Sequence, residues 1–150
     1  MTDWQWLTFE ELSKTELYRL LALRQEVFVL EQRCLYQDLD GRDLDAWHLL
    51  GWQTVDGKRS LAASLRCLAP GAKYPEMSLG RVLTAPAARG TGVGRQLLAQ
   101  GIARAERQFP GHAIRIDAQR YLERFYQSFG FVSVGAPYDE DGIEHIDMLR

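Results

Sequence analysis

Arg81-Val82-Leu83-Thr84-Ala85-Pro86-Ala87-Ala88-Arg89-Gly90-Thr91-Gly92-Val93-Gly94-Arg95 is the stretch on which the reading of this chain turns. It reads as the end of a strand, a proline-marked break, a glycine turn and the first turn of a helix. Gly90, Gly92 and Gly94 alternate with Thr91 and Val93, and Arg89 and Arg95 stand on either side. Glycine lets the backbone adopt positive φ and lie close to a ligand. Free N–H groups at a helix start, aligned with the helix dipole, favour an anion. A plain tight turn seldom needs three glycines in five residues, so the stretch is expected to grip a phosphate-bearing ligand.

Outward from this stretch, 150 residues make a single domain, 1–150, with room for a substantial core. A composition 46% hydrophobic and 25% charged is that of an ordinary globule. The net charge of −2 argues against a general nucleic-acid binder. Met1-Thr2-Asp3-Trp4 is not a basic region leading into an apolar run, and no apolar run is long enough to span a bilayer. Cys34 and Cys67 lack framework spacing, so reduced thiols and a cytoplasmic protein are expected.

Before the glycine stretch, Trp4 to Leu7 reads as a short strand. Ser13 to Glu16 has capping-box form, and the apolar spacing after it predicts a helix from about Lys14 to Val29. Asp38, Asp40, Asp43 and Asp45 then suggest calcium. Taking Gly41 as the sixth loop position would put Tyr36 first and Trp47 twelfth, which excludes an EF-hand. The segment is left as a solvated loop or an acidic rim that attracts a cation. Trp47 to Val55 and Ser60 to Leu68 read as strands joined by the hairpin signal Asp56-Gly57, and a third strand runs from Glu76 to Thr84. His48, His112 and His145 show no metal spacing, so no metal is expected.

After it, Leu97, Leu98, Ile102 and Ala105 mark a helix to about Gln108. Ala113 to Asp117 reads as a strand, Tyr121 to Phe129 as a helix closed by Gly130, and Phe131 to Val134 and Ile143 to Leu149 as the last strands. Gly135 to Gly142 reads as an acidic loop. A right-handed strand–helix–strand unit makes its two strands parallel, so the sheet is mixed. Between Arg81 and Arg124 there are eight arginines and three acids, a basic excess expected around the anion site.

Two phosphate patterns fail. Gly94 is followed by Arg95-Gln96 instead of the Lys-Ser/Thr of a P-loop, and the glycine spacing is not Gly-x-Gly-x-x-Gly. Arg89-x-x-Gly92-x-Gly94 instead resembles the Gln/Arg-x-x-Gly-x-Gly/Ala signature of the GNAT N-acetyltransferase superfamily. Phe125-Tyr126-Gln127-Ser128-Phe129-Gly130-Phe131 resembles its Phe-Tyr-x-x-x-Gly-Phe segment. Val27 to Gln32, Asp38 to Gly41 and His48 to Gly51 are similar to its ElaA-like branch in particular.

The resemblance implies an α/β fold with a mostly antiparallel mixed sheet, helices on both faces, and a parallel strand pair splayed apart at the cofactor. It implies acetyl-CoA as co-substrate, the backbone of Val82, Leu83 and Thr84 on the pantetheine arm, and the amides of Gly90, Thr91, Gly92, Val93, Gly94 and Arg95, with Arg89, at the pyrophosphate. Tyr126 matches the tyrosine that protonates the departing thiolate. Glu76 begins the strand where some members place a glutamate base, with Glu31, Asp40, His48 and His145 as weaker candidates and Cys34 as a remote acyl carrier. Relatives often carry an asparagine just after the strand ending at Asp117; Gln119 is the residue here that could replace its hydrogen bond. The implied reaction is acetyl transfer to a primary amine by direct attack. The acidic segments at Asp40 and Asp141 point to a cationic acceptor, small molecule or peptide. A non-catalytic CoA-binding module, another kind of nucleotide-binding domain, and a homodimer are left open.

Overall fold

Ser13 starts the first helix as the capping box requires. Its hydroxyl accepts from the Glu16 amide at 3.0 Å, and Glu16 Oε1 accepts from the Ser13 amide at 2.8 Å. In the computed structural model, which describes residues 1–150, α1 spans Lys14–Arg24 and passes into a π-helical turn over Gln25–Glu31. The expected single helix to Val29 therefore changes its hydrogen-bond pattern partway, and π turns are frequently found at functional sites.

Seven strands form one sheet: β1 (Asp3–Thr8), β2 (Trp47–Val55), β3 (Lys58–Leu68), β4 (Met77–Thr84), β5 (Ile114–Gln119), β6 (Val132–Glu140) and β7 (Ile143–Leu149). Their order is β1-β2-β3-β4-β5-β7-β6, and only β4 and β5 are parallel. Asp56 and Gly57, at φ 54° and 75°, make the left-handed pair that a tight two-residue hairpin needs. Asp141 and Gly142, at φ 51° and 79°, do the same between β6 and β7. The expected loop from Gly135 to Gly142 is thus mostly strand. Gly135 and Pro137 fall where the β6–β7 register shifts between Val134 and Tyr138. A bulge on an edge strand tolerates both residues.

Helix α2 (Val93–Gln108) and the short α3 (Glu123–Gln127) cover one face of the sheet, and α1 covers the other. The pleat divides the apolar residues between the two layers. Leu49 faces the larger core with Leu65, Leu97, Leu98 and Ile116. Leu50 faces Leu20, Leu23, Val27 and Phe28. No helix is long and apolar enough to cross a membrane.

The aspartate segment is not an acidic rim. Arg24, 1% exposed, holds Asp38 Oδ2 at 2.8 Å through Nε and Asp43 Oδ1 at 2.7 Å through Nη1. Arg66 reaches Asp40 at 2.6 Å and Asp43 at 3.0 Å, and Arg81 Nε lies 2.7 Å from Asp38 Oδ1. Three arginines thus neutralise three aspartates. Burial disfavours the charge on Asp40, but hydrogen bonds from the Arg66 side chain and the Arg42 amide prevail and hold its carboxyl far below the usual range. Losing one partner from such a network strands a buried charge and costs about 3–5 kcal/mol.

This network also fixes a bend in β4. Arg81 has φ 51°, and the β3–β4 register shifts beside it, between Ser64 and Arg66. A left-handed arginine costs about 1–2 kcal/mol. The contacts to Asp38 and Asp40 hold it there, and the bulge turns the second half of β4 away from β5.

Candidate active site

The parallel pair β4/β5 bonds only at Met77↔Ile114 and Ser78↔Arg115. Past these residues lies a cavity of about 560 Å³. Its walls are β4 from Leu79 to Thr84, the β5 residues Ile116, Asp117 and Gln119, and the π turn with Val27, Phe28 and Glu31. Phe125 and Tyr126 of α3, together with Glu140, Asp141 and His145, also line it. Val82, Leu83, Thr84, Arg89, Gly94, Gln119 and Tyr126 therefore meet at one cavity, although they span 45 residues of sequence.

Gly90, Thr91, Gly92, Val93 and Arg95 form the loop at the cavity's mouth and are not wall residues. Gly90 and Gly92 have φ 79° and 85°, and Gly92 is the N-cap of α2 with no side chain capping the helix. The first-turn amides have no intrahelical partner and suit an anion. Val93 is buried in the larger core and anchors the turn. The Arg95 guanidinium lies 4.7 Å over the Phe129 ring and 3.3 Å from Ser128 Oγ, so this residue offers the loop its amide.

Arg89 is already engaged. Its Nη2 and Nη1 meet the two carboxylate oxygens of Glu31 at 2.5 and 3.0 Å. The hydrogen bond from Arg89 holds the Glu31 carboxyl below the usual range. Glu31 thus presents to Arg89 the paired oxygens that a phosphate would present. Replacing Glu31 by Gln removes this competitor and a negative charge from the mouth. The expected result is a twofold to fivefold gain in CoA affinity by calorimetry, about the scale of an exposed ion pair. A loss of affinity would show that Glu31 aids binding.

Four of the eight arginines around the loop are compensated by acids outside the stretch. Arg81 pairs with Asp38 and Asp40, Arg89 with Glu31, Arg115 with Asp147, and Arg120 with Glu144. An anion at this loop would therefore meet a weaker positive field than the count of arginines suggests.

Tyr126 is 6% exposed and lies edge-to-face with Phe125 and Phe131 at 5.4 and 5.9 Å. Burial, then the negative charge of Asp117, pushes its ionisation far above that of a free phenol, so it stays protonated. Glu76 does not reach the cavity. It precedes β4, and its Oε1 lies 3.8 Å from Arg115. The cavity begins at Leu79, past the point where β4 and β5 part, so the base expected at the strand's start lies on the closed side of the pair. Asp40 is consumed by the arginine network. His48 is buried and lies 2.9 Å from the Asp43 carbonyl through Nε2. Cys34 does line the cavity, but burial and the nearby Asp141 and Glu140 raise its thiol, and burial alone pushes Cys67 up to about 12. Neither is an activated thiolate.

Gln119 is the last residue of β5, two beyond the expected strand end, and its amide donates to Gln32 Oε1 at 3.0 Å. Gln32, Tyr36, Tyr121 and Glu140 also line the cavity and escaped the sequence reading. They come from distant segments and carry no shared local pattern. The one available signal was the run of acids from Asp139 to Asp141.

Residues 69–150 match the acetyltransferase (GNAT) domain family. The chain is 48% identical over 147 residues to a UPF0039 protein of Synechocystis, covering 98% of this chain and 94% of that protein. It is 43% identical over 152 residues to protein ElaA of Escherichia coli, covering 100% and 97%. An acyl-CoA N-acyltransferase from Pseudomonas aeruginosa superposes with a TM-score of 0.92 at 43% identity, over 100% of this chain and 99% of that one. The crystal structure of Escherichia coli ElaA superposes at 0.91, with 43% identity and the same coverage. A family match over more than half the chain, with relatives above 40% identity along its whole length, places it: the chain belongs to the GNAT acetyltransferase family, in its ElaA-like branch.

Proposed function

We propose that the protein transfers an acetyl group from acetyl-CoA to a cationic primary amine by direct attack of the nitrogen on the thioester. The observation that carries this reading is one cavity lined both by Arg89 and Gly94, which flank the uncapped start of α2, and by the buried, protonated Tyr126. The amides of Gly90 to Arg95 receive the pyrophosphate, and the open edge of Val82 to Thr84 aligns the pantetheine arm. The thioester then comes to rest beside Tyr126. The absence of an activated thiol supports direct attack over an acyl-enzyme. Asp40 no longer argues for a cationic acceptor, but Glu140 and Asp141 do, because both line the cavity.

Release of CoA thiol, followed across diamines, lysine peptides and anionic amines, tests this reading. Cationic acceptors are expected to exceed anionic ones in kcat/KM by about tenfold or more, the effect of one charge interaction of about 1.4 kcal/mol. A preference for anionic amines overturns the acceptor class. Tight acetyl-CoA binding with no amine acylated would make the protein a CoA-binding module instead.

A further inference from the structure

His145 stands in β7 directly across from Gln119 of β5, so the two side chains share a sheet face. Both line the cavity. The His145 side chain is 10% exposed. Its Nδ1 lies 2.8 Å from the Ile143 carbonyl oxygen, which has no proton to give, so Nδ1 is the donor. In the neutral ring the lone pair is then on Nε2. That atom lies 3.3 Å from Glu140 Oε2. The Tyr138 ring stacks on the imidazole at 6.0 Å and keeps it in place. Two acceptors thus oppose each other on a cavity wall. The arrangement calls for a donor shared by the two, such as a proton on Nε2 or an ammonium group beside them donating to both.

The neighbouring charges decide which ligand this pair suits. Beside the imidazole stands Glu140 at the end of β6, and the same cavity is lined by Asp141 of the following turn and Asp117 of β5. Cys34, Tyr36 and Arg81 line the same cavity, and Cys34 and Tyr36 both feel the charge of Glu140. On its own strand Asp147 is compensated by Arg115 and accepts from the Tyr138 hydroxyl. Asp117 pairs with Lys73 at 3.5 Å, and Arg81 is compensated by Asp38 and Asp40. Glu140 and Asp141 are the negative charges left to the cavity.

We propose that His145 and Glu140 form the acceptor subsite, and that His145 Nε2 takes the proton that frees the amine nitrogen for attack. The assignment rests on the acetyl-transfer reading above. The ammonium donates to Nε2 and to Glu140. One proton moves to Nε2, leaving a neutral amine and an imidazolium. The nitrogen bonds to the thioester carbon, and the C–S bond breaks. The thiolate takes a proton by way of Tyr126, which regains one from the new amide nitrogen. The imidazolium proton leaves past Glu140, whose side chain is 47% exposed. One amide, one thiol and one proton are released. Proton and ammonium compete for the same pair of atoms, so each must weaken the other's binding by the same factor.

Two measurements test this. In the first, kcat/KM for a diamine is followed with pH, with acetyl-CoA affinity measured in parallel. The wild type is expected to lose rate as pH falls, because a proton displaces the ammonium from Nε2. His145→Gln should cost about 10²-fold, the low end for a positioned base, and erase that limb. Glu140→Gln should raise the amine KM about tenfold, and both variants should bind acetyl-CoA within about twofold of wild type. Retention of both rate and limb in His145→Gln overturns the assignment. The second needs no turnover. A saturating diamine should move the NMR titration of the His145 ring to lower pH by about one unit, since the two cations exclude each other. An unmoved titration overturns the subsite even if no amine is acylated, whereas a moved titration without turnover upholds the subsite and sinks the transfer reading.

Discussion

Gly92→Glu should abolish CoA binding and leave the fold standing. Gly92 caps α2 at φ 85°, and a Cβ built on it meets nothing within 4 Å. The added Cβ therefore meets no packed group, and the side chain beyond it starts from open space. It does bear the strain of a left-handed L-residue, about 1–2 kcal/mol, which lowers the melting temperature by a few degrees in a domain of this size. The carboxylate enters the space in front of the first-turn amides, where the pyrophosphate is expected. Two like charges about 4 Å apart near a protein surface repel by about 4 kcal/mol, roughly a thousandfold in affinity. Asparagine tolerates the same backbone and carries no charge, so Gly92→Asn should lose only a few-fold. Calorimetry with acetyl-CoA and thermal unfolding separate the two effects. If Gly92→Glu binds acetyl-CoA within threefold of wild type, the phosphate does not lie on this loop.

Local features of the sequence proved sufficient where the physics is local. The Ser13–Glu16 box, the Asp56-Gly57 turn, the apolar spacing of α2 and the glycine loop each involve residues within a few positions of one another. The parallel pair followed from the strand–helix–strand crossover. What could not be seen was long-range charge pairing. Asp38, Asp40 and Asp43 look like a solvent-facing cluster until Arg24, Arg66 and Arg81, up to 43 residues away, are brought to them. The same holds for Glu31, which the sequence offered as a weak base and the structure sets on Arg89. Glu76 was misplaced for a related reason. Its side of the β4/β5 divide depends on where the two strands stop pairing, at Ser78 and Arg115, and a strand glycine such as Gly80 marks a bulge without fixing that point. The Gly and Pro of β6 misled in the opposite direction, because a bulged edge strand accepts residues that a central strand rejects.

Tyr126→Phe should lower kcat about a hundredfold with acetyl-CoA affinity unchanged, and the size of that loss is itself informative. The substitution removes one oxygen from a ring held by Phe125, Phe131 and the core, so packing is preserved. A positioned acid contributes 10² to 10⁴ at most, and most when its pKa lies near the working pH. Tyr126 is far from that optimum, because burial holds its proton more tightly than a free phenol does. A thiol ionises near 8.5, so complete transfer from this phenol to a thiolate is uphill. The hydroxyl must instead donate a hydrogen bond to the sulfur as the C–S bond breaks and pass its proton on only as it regains one from the new amide nitrogen. That places the effect at about the lower end of the range. It also makes the loss constant between about pH 6 and 9, because a phenol with a raised pKa stays protonated throughout. A loss that grows with pH would point to a tyrosine ionising in that range. Equal losses in rate and in acetyl-CoA affinity would make the hydroxyl a binding group. A variant within threefold of wild type in kcat would remove Tyr126 from the chemistry and leave the thiolate to be protonated by water.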